Sequence, residues 1–447
     1  MVLVVMRIVV IGAGAVGSYL AERLSLEGQD VVVIESDPAR ASEVQDQIDA
    51  LVIRGNGASP VTLQEAGAGN ADLVIAVSSS DAVNVLAANA AARLGAKRRI
   101  ARVEDPRLMA EAEVLGVDFL IDPVDATARE LVLLVQQRGV SELIKFADGR
   151  LNLTGGYISA EAPVAGMTLA DLRTKVEGWT WIVVAVIRDG KTMIARGSTR
   201  IEPGDHLLFM VEADHSGEAF RLTGLQEEPA RDVTVVGATR LAELTARYLC
   251  KAGISTILVD KDEDRVRAIA TENPKVIGVH GDPTDPKVLI AEGVARADTV
   301  LALTGWDEVN ILSCLVAKAL GVASAVSRFN NPELVQLLAG KGIDAGVSTR
   351  LTAASAILRF VRRGNVYSVS TFQDSDAEAI EVEVGRTSEA VGKRLRDLHL
   401  SHDLIIGGVV RRDKAFVPTG DTKIMLGDHL IVIALPEAVK HVEQLSG

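Results

Sequence analysis

The stretch RIVVIGAGAVGSYLAERL, Arg7 to Leu24, decides how the rest of the chain is read. Ile8 to Ile11 form an unbroken β-branched run, the pattern of a strand buried on both faces of a parallel sheet. Gly12, Gly14 and Gly17 follow with G-x-G-x-x-G spacing. Gly12 permits a tight strand-to-helix turn, Gly14 lets a pyrophosphate approach the backbone, and Gly17 lets the helix pack close to the strand. The free N–H groups over Ala13, Ala15 and Val16 and the positive end of the helix dipole then face phosphates.

A lone glycine fingerprint is weak, but here its context is present. A second apolar run, Val31 to Ile34, ends in Glu35, 23 residues after Gly12. A carboxylate there accepts both ribose hydroxyls of an adenosine and repels a 2′-phosphate. The pattern points to NAD(H), or to another adenine nucleotide with a free 2′-hydroxyl, rather than NADP.

Working outward, strand and helix periods alternate. Strands are predicted near 7–11, 31–35, 51–53, 73–77, 99–103 and 118–121, with helices near 15–27, 38–48, 60–67, 81–94 and 106–115. This is a doubly wound α/β sheet. A helix from Asp125 to Arg138 is expected to close the unit at about residue 140. From Tyr157 to about Ala219 the chain reads as a small α+β module. Its WIVVAVIR and KTMIARG runs flank Asp189-Gly190, a two-residue hairpin signal, and Pro203-Gly204-Asp205 leads into a last strand.

The polar segment Gly224 to Asp232 reads as a linker, and then the pattern begins again. Gly237 falls 225 positions after Gly12 and Asp260 the same distance after Glu35. With one inserted residue, Asp298, Asp307, Asn310 and Arg328 fall on Asp72, Asp81, Asn84 and Arg102. The small module recurs too: GMTLADL near 166 resembles GKRLRDL near 392, and PGDHLLFMV resembles LGDHLIVIA. The chain is a tandem duplication. The predicted division is 1–140, 141–223, 231–366 and 367–447. Two tandem Rossmann-like parallel sheets are each followed by a small α+β domain. In the second copy Gly14 has become Thr239 and Gly17 has become Ala242, so the second turn is expected to bind a dinucleotide poorly.

Ligands in doubly wound sheets lie beyond the carboxyl ends of the strands. Asn56 follows the third strand and fits either an adenine edge or a turn cap. Ser78 and Ser79 follow the fourth and are expected to face the ligand, with Asp81 as the helix N-cap. Arg102 ends the fifth and fits a phosphate, a facing subunit's carboxylate or a plain surface role.

Composition narrows the class. Hydrophobic residues make up 48% and aromatics only 3%, a balance that suits Val/Ile/Leu/Ala-rich α/β layers. The net charge of −13 gives nucleic-acid binding no electrostatic support. Cys250 and Cys314 show no metal or redox spacing and read as inert thiols. None of the seven histidines lies at a first-half strand end, so the proton donor or acceptor a dehydrogenase requires is not in view. No apolar run approaches bilayer-spanning length.

Taken together, IGAGAVGSYLAERL, VVVIESDP, the Gly55-Asn56 pair and DLVIAVSSSDAVNVLAANAAARLGA resemble the RCK (or KTN) domain, which regulates potassium conductance. The small module, with its G-x-x-L-x-D-L helix and P-G-D turn, resembles that family's C-terminal domain. The resemblance spans essentially the whole chain and implies no reaction. It implies a cytoplasmic, peripheral subunit of a Trk potassium-uptake system at the inner face of the cell membrane. Such a subunit binds NAD(H) or ATP/ADP and gates a membrane-embedded potassium-translocating subunit. It also implies a homotetramer, with phosphates held at Gly12, Gly14 and Gly17, ribose at Glu35, and weaker transfers at Asn56, Ser78 and Arg102. The alternatives are an NAD-dependent dehydrogenase and a regulator of another ion transporter.

Overall fold

The computed structural model describes residues 5–110, 116–136, 140–176, 180–225, 230–331, 334, 338, 342–361, 366–372 and 375–446. In chain order the first half runs β1 (Arg7–Ile11), α1 (Ala15–Leu26), β2 (Asp30–Glu35), α2 (Pro38–Gln47), β3 (Leu51–Arg54), α3 (Pro60–Glu65), β4 (Leu73–Ala76), α4 (Asp81–Leu94), β5 (Arg99–Arg102), α5 (Pro106–Ala110), β6 (Phe119–Ile121) and α6 (Pro123–Gln136). It continues through β7 (Glu142–Phe146), β8 (Leu151–Tyr157), α7 (Leu169–Lys175), β9 (Trp181–Arg188), β10 (Lys191–Ile194), β11 (His206–Glu212) and α8 (Ser216–Thr223).

The second half repeats this order. It runs β12 (Asp232–Val236), α9 (Arg240–Lys251), β13 (Ser255–Asp260), α10 (Glu263–Glu272), β14 (Val276–His280), α11 (Pro286–Ala291), β15 (Thr299–Ala302), α12 (Asp307–Ala319), β16 (Ser324–Arg328), β17 (Ala345–Val347) and α13 (Thr349–Val361). Then follow β18 (Val366–Thr371), β19 (Glu378–Glu383), β20 (Leu404–Arg411), β21 (Lys414–Phe416), β22 (His429–Ala434) and α14 (Val439–Ser446).

Each large sheet is parallel and doubly wound, in the orders β3-β2-β1-β4-β5-β6 and β14-β13-β12-β15-β16-β17. The strand order reverses between β1 and β4, and between β12 and β15. A crevice opens there beyond the carboxyl ends of the strands. The small sheets are five-stranded, β10-β9-β11-β8-β7 and β18-β19-β22-β20-β21. The Asp189-Gly190 hairpin is present, with Lys191 opposite Arg188 and both turn residues at positive φ.

The chain divides into two compact units, Met1–Pro123 with Arg350–Arg363, and Val124–Thr349 with Gly364–Gly447. The helix expected to close the first unit at about residue 140 lies, from Val124 on, in the second of these units. The described part of the 125–138 helix does not cover the first sheet. Its Ala128, Leu131, Leu134 and Val135 are buried in one core with Val235, Leu241 and Leu244 of the second unit. Asp125 of this helix accepts a hydrogen bond from the Tyr248 hydroxyl, and the Arg129 guanidinium lies 4.9 Å from the Tyr248 ring centre.

The first unit is completed by α13 in its place. Phe360 stacks on Phe119 with ring centres 5.1 Å apart, and Arg98 donates to the Phe360 carbonyl at 3.1 Å. Arg350 lies over the ring of Tyr19 on α1. Each Rossmann sheet is therefore covered on one side by the crossover helix that belongs, in chain order, to the other copy.

Within the second unit the two small sheets share a core containing Leu153, Val184, Met210, Ala379, Val410 and Ile431. Gly407 is needed there, since a Cβ on it would lie 2.9 Å from Val184 Cγ1. Each Gly-Asp turn is locked by a buried aspartate. Asp205 accepts from Arg188 Nε at 2.7 Å, and Asp428 accepts from Arg411 Nε at 2.7 Å. β7 and β8 pair ahead of Tyr157, where the strand pattern was read to begin, and inside the predicted 141–223. The described residues flanking 226–229 leave part of the expected linker outside the structure, as are 111–115 of the expected fifth helix and the end of the 125–138 helix.

Candidate nucleotide site

The crevice between β1 and β4 is built from the glycine turn. Gly12 sits at φ +94°, and its N–H donates to the Ile34 carbonyl at 2.8 Å. A Cβ on Gly12 would come within 2.8 Å of the Ser78 Cα. A Cβ on Gly17 would lie 1.8 Å from the Gly12 carbonyl oxygen. Both glycines are required by the fold of the turn itself.

Gly14 differs. Its φ of −70° suits any residue, and nothing lies within 4 Å of where its Cβ would be. It occupies the N-cap of α1 and brings no side chain to the helix's first N–H groups. Among the described residues no side chain caps this helix, and its first turn carries no acid. A helix start with no side-chain cap, and with nothing within 4 Å of where a Gly14 Cβ would be, fits an anionic group. Ala13 is buried and Ala15 exposed, so the turn offers backbone rather than side chain to that group.

Glu35 closes the base of the crevice. It is 6% exposed. One carboxylate oxygen accepts from the Ala13 N–H at 2.6 Å, and the other accepts from Ser36 N–H at 2.7 Å and Asp37 N–H at 2.8 Å. Burial alone raises a carboxyl pKa. Here the N–H groups of Asp37, Ala13 and Ser36 outweigh it and hold Glu35 below its ordinary value. The group stays ionised, an acceptor suited to ribose hydroxyls.

The remaining expected residues are placed less favourably. Asn56 is exposed, and its side-chain oxygen accepts from the Ala58 N–H at 3.0 Å, the turn-capping alternative. Ser78 bonds within its own loop. Its N–H and hydroxyl both donate to the Asn84 side-chain oxygen, at 2.8 and 2.7 Å. Ser79 is exposed on the same loop. Arg102 pairs with Glu104. Asp81 is not the N-cap of α4: Ser80 is, accepting from the Val83 N–H. Asp81 instead accepts from the N–H groups of Glu104 and Asp105, each at 2.9 Å, and so fixes the loop after β5.

Sequence reasoning gave no role to Asn84, which is fully buried. Its amide donates to the carbonyls of Ser78 and Arg102, both at 2.9 Å, and ties together the two strand ends that form the crevice wall. The signal was available, because Asn310 repeats the arrangement, bonding Thr304 and the Arg328 carbonyl. Cys314 is fully buried, and burial pushes its thiol up to about 12.

Comparison with known proteins agrees with this architecture. The TrkA-N domain matches residues 8–123 and 233–349, and the TrkA-C domain matches 157–224 and 379–447. The Trk system potassium uptake protein TrkA of Azorhizobium caulinodans is 33% identical, covering 98% of each chain. The TrkA homolog of Archaeoglobus fulgidus is 33% identical over 98% of this chain and 100% of its own. Among solved structures, the GsuK channel bound to NAD has a TM-score of 0.61 at 19% identity, covering 100% of this chain and 79% of that one. GsuK bound to ADP has a TM-score of 0.52 at 16% identity, covering 80% and 69%. These structures share the fold. The relatives are named as potassium uptake proteins, which sets aside the dehydrogenase alternative. With two TrkA-N and two TrkA-C domains in alternation and relatives a third identical from end to end, the chain belongs to the TrkA family of Trk-system potassium uptake proteins.

Proposed function

We propose that the chain is the cytoplasmic regulatory subunit of a Trk-type potassium transporter or channel. It binds NAD(H) or ATP/ADP in the β1–β4 crevice and sits peripherally at the inner face of the membrane. Its partner is the membrane-embedded, potassium-translocating (TrkH-like) subunit, and its own assembly is a homotetramer. In chain order we divide it at 1–140, 141–223, 231–366 and 367–447, with the two crossover helices exchanged. The observation that carries this reading is the pairing of an uncapped α1 start at Gly14 with the ionised Glu35 behind it. Gly12 to Gly17 hold the phosphates and Glu35 takes the adenosine ribose. NAD and ADP in GsuK are ligands of a chain with the same fold. Among the described residues no helix is long and apolar enough to cross a membrane.

No covalent step is needed. A ligand shifts the equilibrium between two arrangements by its difference in affinity for them, and by linkage that difference is the whole of the gating energy available. The test is potassium flux through the membrane subunit reconstituted with this chain, with and without NADH or ADP. Nucleotide-dependent flux that disappears with Gly14→Asp is the expected result. Flux indifferent to nucleotide and to Gly14→Asp would end the proposal.

A further inference from the structure

We infer that Thr239 shuts the second crevice to phosphate, so that the chain takes one nucleotide, in its amino-terminal half. The ligand class rests on the function proposed above; the closure rests on geometry in the second half alone.

The two turns share the backbone of their first residues and diverge at Ala242, which stands in place of Gly17, where a Cβ would lie 1.8 Å from the Gly12 carbonyl oxygen. Gly237 sits at φ +109° where Gly12 sits at +94°. Its N–H donates to the Val259 carbonyl at 2.8 Å, as Gly12 does to Ile34. The Ala238 N–H donates to Asp260 at 2.7 Å, as Ala13 does to Glu35 at 2.6 Å. Thr239 at φ −80°, ψ 164° matches Gly14 at φ −70°, ψ −176°. What differs is the side chain. The Thr239 hydroxyl accepts from the Ala242 N–H at 3.2 Å and donates to the Leu303 carbonyl at 2.8 Å. It thereby caps α9 with the chain's own oxygen, where α1 offers its N–H groups outward. Leu303 follows β15, so this hydroxyl also spans the point where the strand order reverses.

Charge at this helix start is mixed, because Arg240 opens α9. Glu243 stands in the first turn of α9, whereas α1 has Ser18 at that place, donating to the Ala13 carbonyl at 2.9 Å. A phosphate entering the second crevice would have to displace the Thr239 cap. The second Rossmann unit is thus held by its own residues in a state that nucleotide does not alter, and the duplication yields one sensor and one fixed partner.

The experiment exchanges the two sets of residues in the full chain and measures ADP and NADH binding by calorimetry. Gly14→Thr places the closing side chain in the first crevice, where open space above Gly14 accepts it. Thr239→Gly with Glu243→Ser opens the second. Wild type is expected to bind one ADP per chain, Gly14→Thr to bind it about tenfold or more weakly, and the opened chain to bind two. Trp306, 71% exposed on the loop after β15, reports locally: ADP should quench it in the opened chain and leave it unchanged in wild type. Two ADP bound per wild-type chain, or undiminished affinity in Gly14→Thr, would overturn the inference. If wild type binds neither nucleotide, the proposed function fails, and the opened chain still decides the closure: new binding supports it and none refutes it. Should the opened chain not fold, wild-type stoichiometry and Gly14→Thr settle the matter.

Discussion

The three glycines of the first turn answer to different masters. Gly12 and Gly17 are demanded by the turn's own backbone, Gly14 by nothing in the chain. Gly17→Ala is therefore expected to lose about 1–3 kcal/mol of stability through overpacking against the Gly12 carbonyl. Gly14→Ala should stay within about 0.5 kcal/mol of wild type, while its nucleotide affinity falls. Urea unfolding and calorimetry on the same samples separate the two effects. Glu35 gives a test in acid. Its folded pKa lies below the ordinary value of 4.5, so its contribution to stability is full above that value. It is lost as the pH falls through the lower, folded value. The stability gap between wild type and Glu35→Gln should be constant at neutral pH and shrink only on that acid limb; a gap that widens in acid would contradict the assignment. These residues were legible because their chemistry is local: a glycine spacing and an acid at a fixed distance. Asn56 and Ser78 were less legible because a short polar residue at a strand end bonds its own loop as readily as a ligand, and Asn56 takes the turn-capping alternative.

Strands and helices were legible for a similar reason. β-branched runs bounded by glycine, proline or aspartate mark β1, β2 and β4 to within a residue or so. The partner of a helix was not. α6 and α13 follow equivalent strands in the two copies and carry similar apolar stripes, so either sheet offers each a place to pack. Sequence order favours the nearer sheet, and the fold uses the farther. Phe360 is 4% exposed against Phe119 and Arg98, so Phe360→Ala should cost about 3–5 kcal/mol. Hydrogen exchange should show the loss first in residues 350–361. Asn84→Ala removes two donors and strands the Ser78 N–H, so a loss of about 3 kcal/mol is expected. That loss should appear even without ligand, which marks Asn84 as a support of the crevice wall rather than a contact. The β7–β8 pairing went unread because its turn, Ala147-Asp148-Gly149, looks like the end of one module rather than the middle of a hairpin.

Duplication gives the molecule two copies of one crevice, and of the two only the first has a helix start without a side-chain cap. The repeat was legible as aligned aspartates, asparagines and arginines. The asymmetry was legible as Thr239 and Ala242, although what the threonine does became clear only from its hydrogen bonds to Ala242 and Leu303. A ligand that binds the folded first unit alone stabilises it by mass action, about 2.7 kcal/mol at a hundredfold excess over Kd. Because α13 belongs to that unit, NADH should slow exchange both at Gly12–Gly17 and at residues 350–361, far apart in sequence. The account as a whole stands on where the nucleotide sits. A structure of the full chain with NADH is expected to show pyrophosphate against the N–H groups that begin α1 and the adenosine ribose on Glu35, with the second crevice empty of ligand. A nucleotide found anywhere else, or a β1–β4 crevice filled by side chains, would contradict it.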